Sequence, residues 1–335
     1  MCLLVSLVVR VGVVGLGAIA SQHLKSLTKI RDVELVAFAD IVFEKAKEAA
    51  EKYGGNAYKD YREMYEKEDL DAVYICIPPF AHKDEVHLAA EKGIAVFIEK
   101  PIALTSEHAW SMVEACKKHG VVTQVGYQLR HAFPIVELKK LIEKGELGRL
   151  GIVYATYLCD MTSFLRTKSW WCDKTKSGGQ IVEQVTHTYD LLRYLFGEPV
   201  EVYSYMNKFW SVDNPNYTVE DGHIALIKMS SGAIASIIAT NVAASSYGGR
   251  HSWFLVAEKA TAEFDAGSLK LYWRSEEKPY TEYNSREDLI LKEDRIFIEC
   301  VKKGEETPVP IEEGAKTLDL TLKVVKSWEK HAVVK

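Results

Sequence analysis

Disulfides, zinc, nucleic acid and bilayers all find little support in this 335-residue chain. Its cysteines number only 6, at Cys2, Cys76, Cys116, Cys159, Cys172 and Cys300, and no two form a C-x-x-C pair. None is spaced with histidines in a zinc pattern, so metal is not expected. All are read as reduced thiols of a cytoplasmic protein, and Cys76, inside an apolar run, as a small core residue. Charge of one sign is not in excess: 42 basic and 47 acidic residues leave a net charge of −5. With no basic cluster, neither nucleic acid nor a membrane surface is an expected partner. No apolar run reaches the length of a membrane span. The apolar start, Met1 to Val9, has no basic n-region and no small-residue cleavage site, so it reads as a lead into the first strand rather than a signal peptide. Internal repeats and low-complexity segments are missing too. What remains is an ordinary globular composition, 47% hydrophobic and 27% charged, and length enough for two domains with real cores.

The most informative stretch runs from residue 8 to residue 40. Val8 to Val14 reads as a strand and passes directly into Gly15-Leu16-Gly17-Ala18-Ile19-Ala20, a G-x-G-x-x-A turn. A helix, the strand Val33 to Ala39 and Asp40 follow. Gly15 permits a tight turn, Gly17 lets backbone N–H groups approach a pyrophosphate, and Ala20 lets the helix pack close to the strand. The helix N-terminus offers unpaired donors to phosphate, with Ala18 and Ile19 in its first turn. The acid falls where a ribose needs an acceptor. Asp40 favours NAD, because a carboxylate there repels a 2′-phosphate and the next residues, Ile41, Val42 and Phe43, include no arginine. Lys45, one turn further on, leaves NADP open.

Strands and helices alternate over the first 125 or so residues, which predicts a doubly wound parallel sheet. Helices are expected at about 43–53, near Tyr61 and Met64, at about 82–92, and from Thr105, a candidate N-cap, to His119. Strands are expected at 72–77, 94–98 and 121–125. The pattern changes after Gly126, where the boundary is placed, giving domains of 1–125 and 126–335. Pro134 opens a helix, and one long helix is expected over 180–196. Alternating segments beyond it, including 225–229 and 233–239 joined by Ser230-Ser231-Gly232, predict an α+β domain with an open, mostly antiparallel sheet. Helices near 289–302 and 315–330 close the chain.

Glu99-Lys100-Pro101 stands at the end of a predicted parallel strand, the edge where open α/β sheets bind ligands. Lys100 could hydrogen-bond a substrate oxygen or the nicotinamide ribose there, or be an ordinary surface lysine. In the 180–196 helix, Ile181, Val185, Thr188, Leu192 and Leu195 make a core stripe, and Glu183, His187 and Asp190 share the other face. An imidazole titrates near neutrality, which suits His187 to acid–base work on a hydroxyl or carbonyl, with Glu183 or Asp190 to orient it. The alternative is a solvated polar face. Trp170 and Trp171 could stack on a sugar ring or pack in a core. Tyr127, Arg130 and Arg166 are further substrate candidates, although Arg130 could instead serve an inter-domain ion pair.

These motifs together resemble the Gfo/Idh/MocA family, named for glucose–fructose oxidoreductase and inositol dehydrogenase. The resemblance spans essentially the whole chain. It rests on the glycine turn, on Ile77-Pro78-Pro79-Phe80-Ala81-His82, on Glu99-Lys100-Pro101, on Val125-Gly126-Tyr127-Gln128-Leu129-Arg130, and on the run from Gly178 to His187. It implies an N-terminal Rossmann domain and a C-terminal domain whose open sheet binds substrate and often forms oligomer contacts, here a homodimer or homotetramer. It implies oxidation or reduction of a hydroxyl carbon of a sugar, cyclitol or related polyol with NAD(P). By the same resemblance Lys100 is the catalytic lysine, His187 the acid–base, and Ile77, Pro78, His82 and Glu99 belong to the cofactor site. Glu183 departs from the family's commoner aspartate, and Ser177 and Gln180 flank the two glycines where other residues are frequent. A glycosidase using bound NAD for transient oxidation, and a non-enzymatic NAD sensor, are the alternatives. Intact Lys100 and His187 weigh against the sensor.

Overall fold

The computed structural model describes residues 8–167, 170–209, 214–277 and 279–335. The apolar start through residue 7, with Cys2, lies outside them. The chain divides into two compact units: Met1–Gln128 with Asp288–Ala315, and Leu129–Glu287 with Lys316–Lys335. The division falls close to the expected 125/126 boundary. However, residues 288–315, expected in the second domain, belong to the first.

The first unit is built on six parallel strands, β1 (Val9–Val14), β2 (Val33–Ala39), β3 (Asn56–Tyr58), β4 (Ala72–Ile75), β5 (Ala95–Ile98) and β6 (Thr123–Val125). Their order is β3-β2-β1-β4-β5-β6, with the reversal beside β1 that marks a dinucleotide fold. Helices α1 (Ala18–Leu27), α2 (Phe43–Tyr53), α3 (Tyr61–Lys67), α4 (Glu85–Glu91) and α5 (Ser106–His119) connect them. β4 and β5 are buried along their whole length, as a strand covered on both faces must be. Thr105 caps α5 by accepting from His108 N–H at 3.3 Å. The late helix α11 (Leu289–Lys303) completes this core, placing Phe297 and Ile298 with Val11, Leu24, Tyr74 and Phe97. The three-residue β3 went unforeseen because so short a strand leaves no periodicity to read.

The second unit carries an eight-stranded sheet: β7 (Leu150–Leu158), β8 (Pro199–Asn207), β9 (Gly222–Met229), β10 (Ile234–Thr240), β11 (Arg250–Ala257), β12 (Ala260–Phe264), β13 (Ser268–Trp273) and β14 (Tyr280–Asn284). The order is β14-β13-β12-β11-β7-β10-β9-β8. Among the described residues of this sheet only β7 and β10 pair in parallel. The predicted hairpin is β9–β10, with Met229 N–H bonded to Ala233 O at 2.9 Å. β9 alternates strictly, burying Ala225, Ile227 and Met229 while Ile224 and Leu226 face out. Its other helices are α6 (Phe133–Glu143), the short α7 (Thr162–Arg166), α8 (Lys174–Ser177) and α9 (Gln180–Glu183), then α10 (Thr186–Phe196). The last helix, α12 (Ile311–Lys330), runs across the division at Ala315. The single helix expected over 180–196 is therefore two, broken at Gln184 and Val185. No helix among the described residues is long and apolar enough to cross a membrane.

Candidate functional site

In the first unit the glycine turn follows β1 directly. Gly15 has φ 84°, and a Cβ there would lie 2.6 Å from Cys76 O and 2.5 Å from Ile77 Cγ2. Conformation and space both require glycine at that position. Gly17 is the N-cap of α1, and a Cβ there would meet nothing within 4 Å. The turn is thus open where the α1 N-terminus presents its amides, a cradle of the kind a pyrophosphate fills. Ala18 and Ile19 form the first turn of α1, and Ala20 is fully buried beneath it. Asp40 caps the end of β2. Its Oδ2 accepts Leu16 N–H at 2.8 Å and its Oδ1 accepts Val42 N–H at 2.8 Å. The carboxylate that would face a ribose therefore also braces the glycine turn. The residues present fit a nicotinamide dinucleotide.

Pro78 lies beside Ile77 just beyond β4, both partly buried. His82 is buried, its Nδ1 2.5 Å from Glu85 Oε1. Burial raises the Glu85 carboxyl, but the His82 contact outweighs it and holds the group below its ordinary range. Glu99 is 7% exposed and turns inward, whereas Lys100 is partly exposed at the carboxyl end of β5. That end lies on the same edge of the parallel sheet as the turn after β1. Tyr127, close after β6, is buried.

In the second unit the Gly178-Gly179 pair has φ values of 78° and 96°. A Cβ on Gly179 would sit 2.5 Å from Glu220 Oε2. Glu220 Oε1 accepts Ile181 N–H at 3.0 Å, so a buried carboxyl holds the start of α9. Burial pushes that carboxyl up despite the bond. Glu183 is buried and His187 partly exposed. The two stand on either side of the break, Glu183 ending α9 and His187 in the first turn of α10. Asp190, the other candidate partner of His187, is engaged elsewhere: Arg130 Nε and Nη2 donate to its two oxygens at 2.8 and 2.6 Å, and Thr317 Oγ1 donates at 3.1 Å. Arg130 is itself 5% exposed, with its guanidinium over the Tyr194 ring at 5.0 Å. It forms a buried ion pair, and the pair lies within this unit.

Trp170 and Trp171 meet edge to face at 5.7 Å, and Trp171 stacks on Phe164. Both tryptophans are partly buried, and Arg166 at the end of α7 is exposed. Trp171, Glu183, Gln184 and Asn241 line a small cavity with Leu165 and Val219. Asn241 Nδ2 donates to Gln184 Oε1 at 3.3 Å. Gln184 and Asn241 escaped the sequence reading. Amides carry no motif, and Gln184 lines the cavity beside Glu183. His223 was missed as well. Its Nε2 is 2.8 Å from Tyr189 Oη, and burial lowers its pKa to about 3, so the ring is neutral.

A Rossmann unit with an open dinucleotide turn, followed by a second unit with an open, largely antiparallel sheet, defines a two-unit nicotinamide-dependent oxidoreductase. Two family models match: the oxidoreductase family, NAD-binding Rossmann fold, over residues 9–127, and the GFO/IDH/MocA C-terminal domain over residues 135–263. The chain belongs to the Gfo/Idh/MocA family. It is 28% identical to the myo-inositol 2-dehydrogenase of Thermotoga maritima over 97% of this chain and 98% of that one. It is 31% identical to the scyllo-inositol 2-dehydrogenase (NAD(+)) of Bacillus subtilis over 69% and 67%. Among solved structures, a levoglucosan dehydrogenase in complex with NADH superposes with a TM-score of 0.89 at 23% identity, covering 97% of this chain and 98% of that one.

Proposed function

We propose that the protein is an NAD-dependent dehydrogenase acting on a hydroxyl-bearing carbon of a cyclitol, sugar or related polyol. One observation carries the reading: Lys100 stands at the carboxyl edge of the same parallel sheet whose first strand ends in the open glycine turn. The names of the inositol dehydrogenases above support the substrate class. Amides of Gly15, Gly17, Ala18 and Ile19 would hold the pyrophosphate and Asp40 the ribose, with Ile77, Pro78, His82, Glu99 and Lys100 completing the cofactor's surroundings. When bound, the nicotinamide supplies the hydride acceptor.

The chain's own part is proton handling and orientation. His187 takes the hydroxyl proton, Glu183 orients the reacting groups, and the Lys100 ammonium hydrogen-bonds the oxygen as negative charge develops on it. Trp170, Trp171, Tyr127 and Arg166 remain substrate candidates, and Gln184 and Asn241 join them as amides able to bind vicinal hydroxyls. NAD is favoured over NADP because Asp40 carries the negative charge a 2′-phosphate would meet.

Lys100→Ala should lower kcat by about 10²-fold or more while NAD binding, followed by calorimetry, is retained. Unchanged turnover would remove Lys100 from the mechanism. The five described cysteines are free, which supports a cytoplasmic setting. The outer face of the large sheet exposes Ile152, Tyr154, Tyr205, Ile224, Leu226 and Ile234. So apolar a face supports burial against a second copy, in a homodimer or homotetramer.

A further inference from the structure

Beneath Lys100, inside the first unit, Glu99 joins buried ionisable groups, His23, Asp294 and Glu293, that the proposed chemistry leaves without a task. His23, on α1, has no accessible surface. Its Nδ1 is 2.8 Å from Asp294 Oδ1, on α11, and its Nε2 is 3.1 Å from Glu99 Oε1. A neutral imidazole has one N–H, so one of these contacts would set lone pair against lone pair. Two carboxylate acceptors therefore require a ring that donates from both nitrogens. Burial alone would lower the pKa of His23, but Asp294 and then Glu99 overcome it and raise the pKa to about 10. The ring packs against the stacked pair Tyr74 and Phe97, at 5.4 and 4.8 Å between centroids.

The second oxygen of Glu99 continues the chain: Oε2 accepts the backbone N–H of Lys100 at 3.0 Å. Gly126 makes room for this arrangement, since a Cβ there would come 2.6 Å from Glu99 Oε1. Next to Asp294, Glu293 is wholly buried with neither carboxyl oxygen hydrogen-bonded, and burial lifts it well above the usual carboxylate range. His23, Glu99 and Glu293 bring ligand-type atoms within 4.8 Å of one another, a grouping that could suggest a metal ion. Both ring nitrogens are already spent on carboxylates, however, and no imidazole lone pair is left for a metal. The imidazolium is the cation this cluster holds.

We propose that Asp294, His23 and Glu99 are positioning residues that fix the backbone of Lys100 at the end of β5 and so aim its side chain for the reaction. The inference rests on the reading of Lys100 as the catalytic lysine. The chain joins three distant stretches of sequence, at residues 23, 99 and 294, to one backbone amide. A side chain misplaced by about 1 Å can cost about 10²-fold in rate, so a rigid anchor under the lysine has a clear use.

The test pairs a mismatch with its repair. His23→Gln leaves an amide oxygen facing Asp294, whereas adding Asp294→Asn supplies a donor and restores the pattern. The single variant should lose at least about 10-fold in kcat with KM for NAD changed less than about 2-fold, and the double variant should recover most of the loss. A purely structural role would lower the melting temperature of both and leave kcat of the folded enzyme intact, which would overturn the proposal. The Lys100→Ala control separates the two claims. If it stays active, the reading of Lys100 fails; if it is inactive while His23→Gln is fully active, the positioning chain fails. Should His23→Gln not fold, 15N NMR of the unaltered protein at pH 8 decides, with Asp294, Glu99, Glu293, Tyr74 and Cys76 the titratable groups around the ring. Two protonated ring nitrogens on His23 are expected, and a neutral tautomer would contradict the chain.

Discussion

Arg130 and Asp190 each looked like site residues, and each finds its partner in the other. The pair is buried and bidentate, and Thr317 satisfies the carboxylate further. Replacing Arg130 by methionine keeps the bulk but leaves Asp190 buried without its countercharge. That should cost about 3–5 kcal/mol of stability, seen in a denaturant melt, while KM for the sugar changes little. A raised KM with an unchanged melt would return Arg130 to the substrate site. The sequence could show only that an arginine follows the last strand of the first domain. What a buried charge does depends on the charge facing it, here 60 residues away. Asp40 was readable because its partners, Leu16 and Val42, lie within or beside the same short strand–turn–helix–strand unit.

The elements divide along the same line. The parallel strands other than β3, the β9–β10 hairpin and the capped helix α5 follow from local periodicity, proline and glycine, and they appear close to where those signals put them. The break between α9 and α10 carries no such signal. Ile181 to Leu195 keeps one helical stripe, and all five of its apolar or threonine positions are buried. The break comes at Gln184 and Val185, and the start of α9 is fixed from outside by the Glu220 carboxyl on Ile181 N–H. The link between α10 and β9 has a pH signature. His223, hydrogen-bonded to Tyr189, has a folded pKa depressed to about 3 by burial. Its contribution is fully present above the unfolded value near 6.5 and is lost as pH falls from there toward 3. Between pH 8 and pH 5 this one group should remove about 2 kcal/mol, taking about 1.4 kcal/mol per pH unit below 6.5. His223→Gln, which can still bond Tyr189, should show a shallower acid loss in urea titrations. Identical slopes would mean that the ring is not held neutral.

At the scale of the whole molecule, the return of residues 288–315 to the first unit is what no local pattern foretold. Strand and helix signals give order along the chain, not which core a late helix joins, and α11 joins the first through Phe297 and Ile298. The outer face of the large sheet makes its own prediction. In register, Ile234 lies beside Ile152 on one side and Lys228 on the other. Ile234→Glu placed in this face should convert an oligomer to smaller species by light scattering while leaving the folded unit intact. A wild-type monomer at working concentration would refute the contact.

The central claim is nicotinamide-dependent chemistry on a polyol carbon. Absorbance at 340 nm, with NAD or NADP and a panel of inositols and sugars, tests it most directly. The account predicts NADH accumulating with one class of polyol, faster with NAD than with NADP, and no accumulation in Lys100→Ala. NAD bound in a thermal-shift assay without any signal across the panel would contradict it.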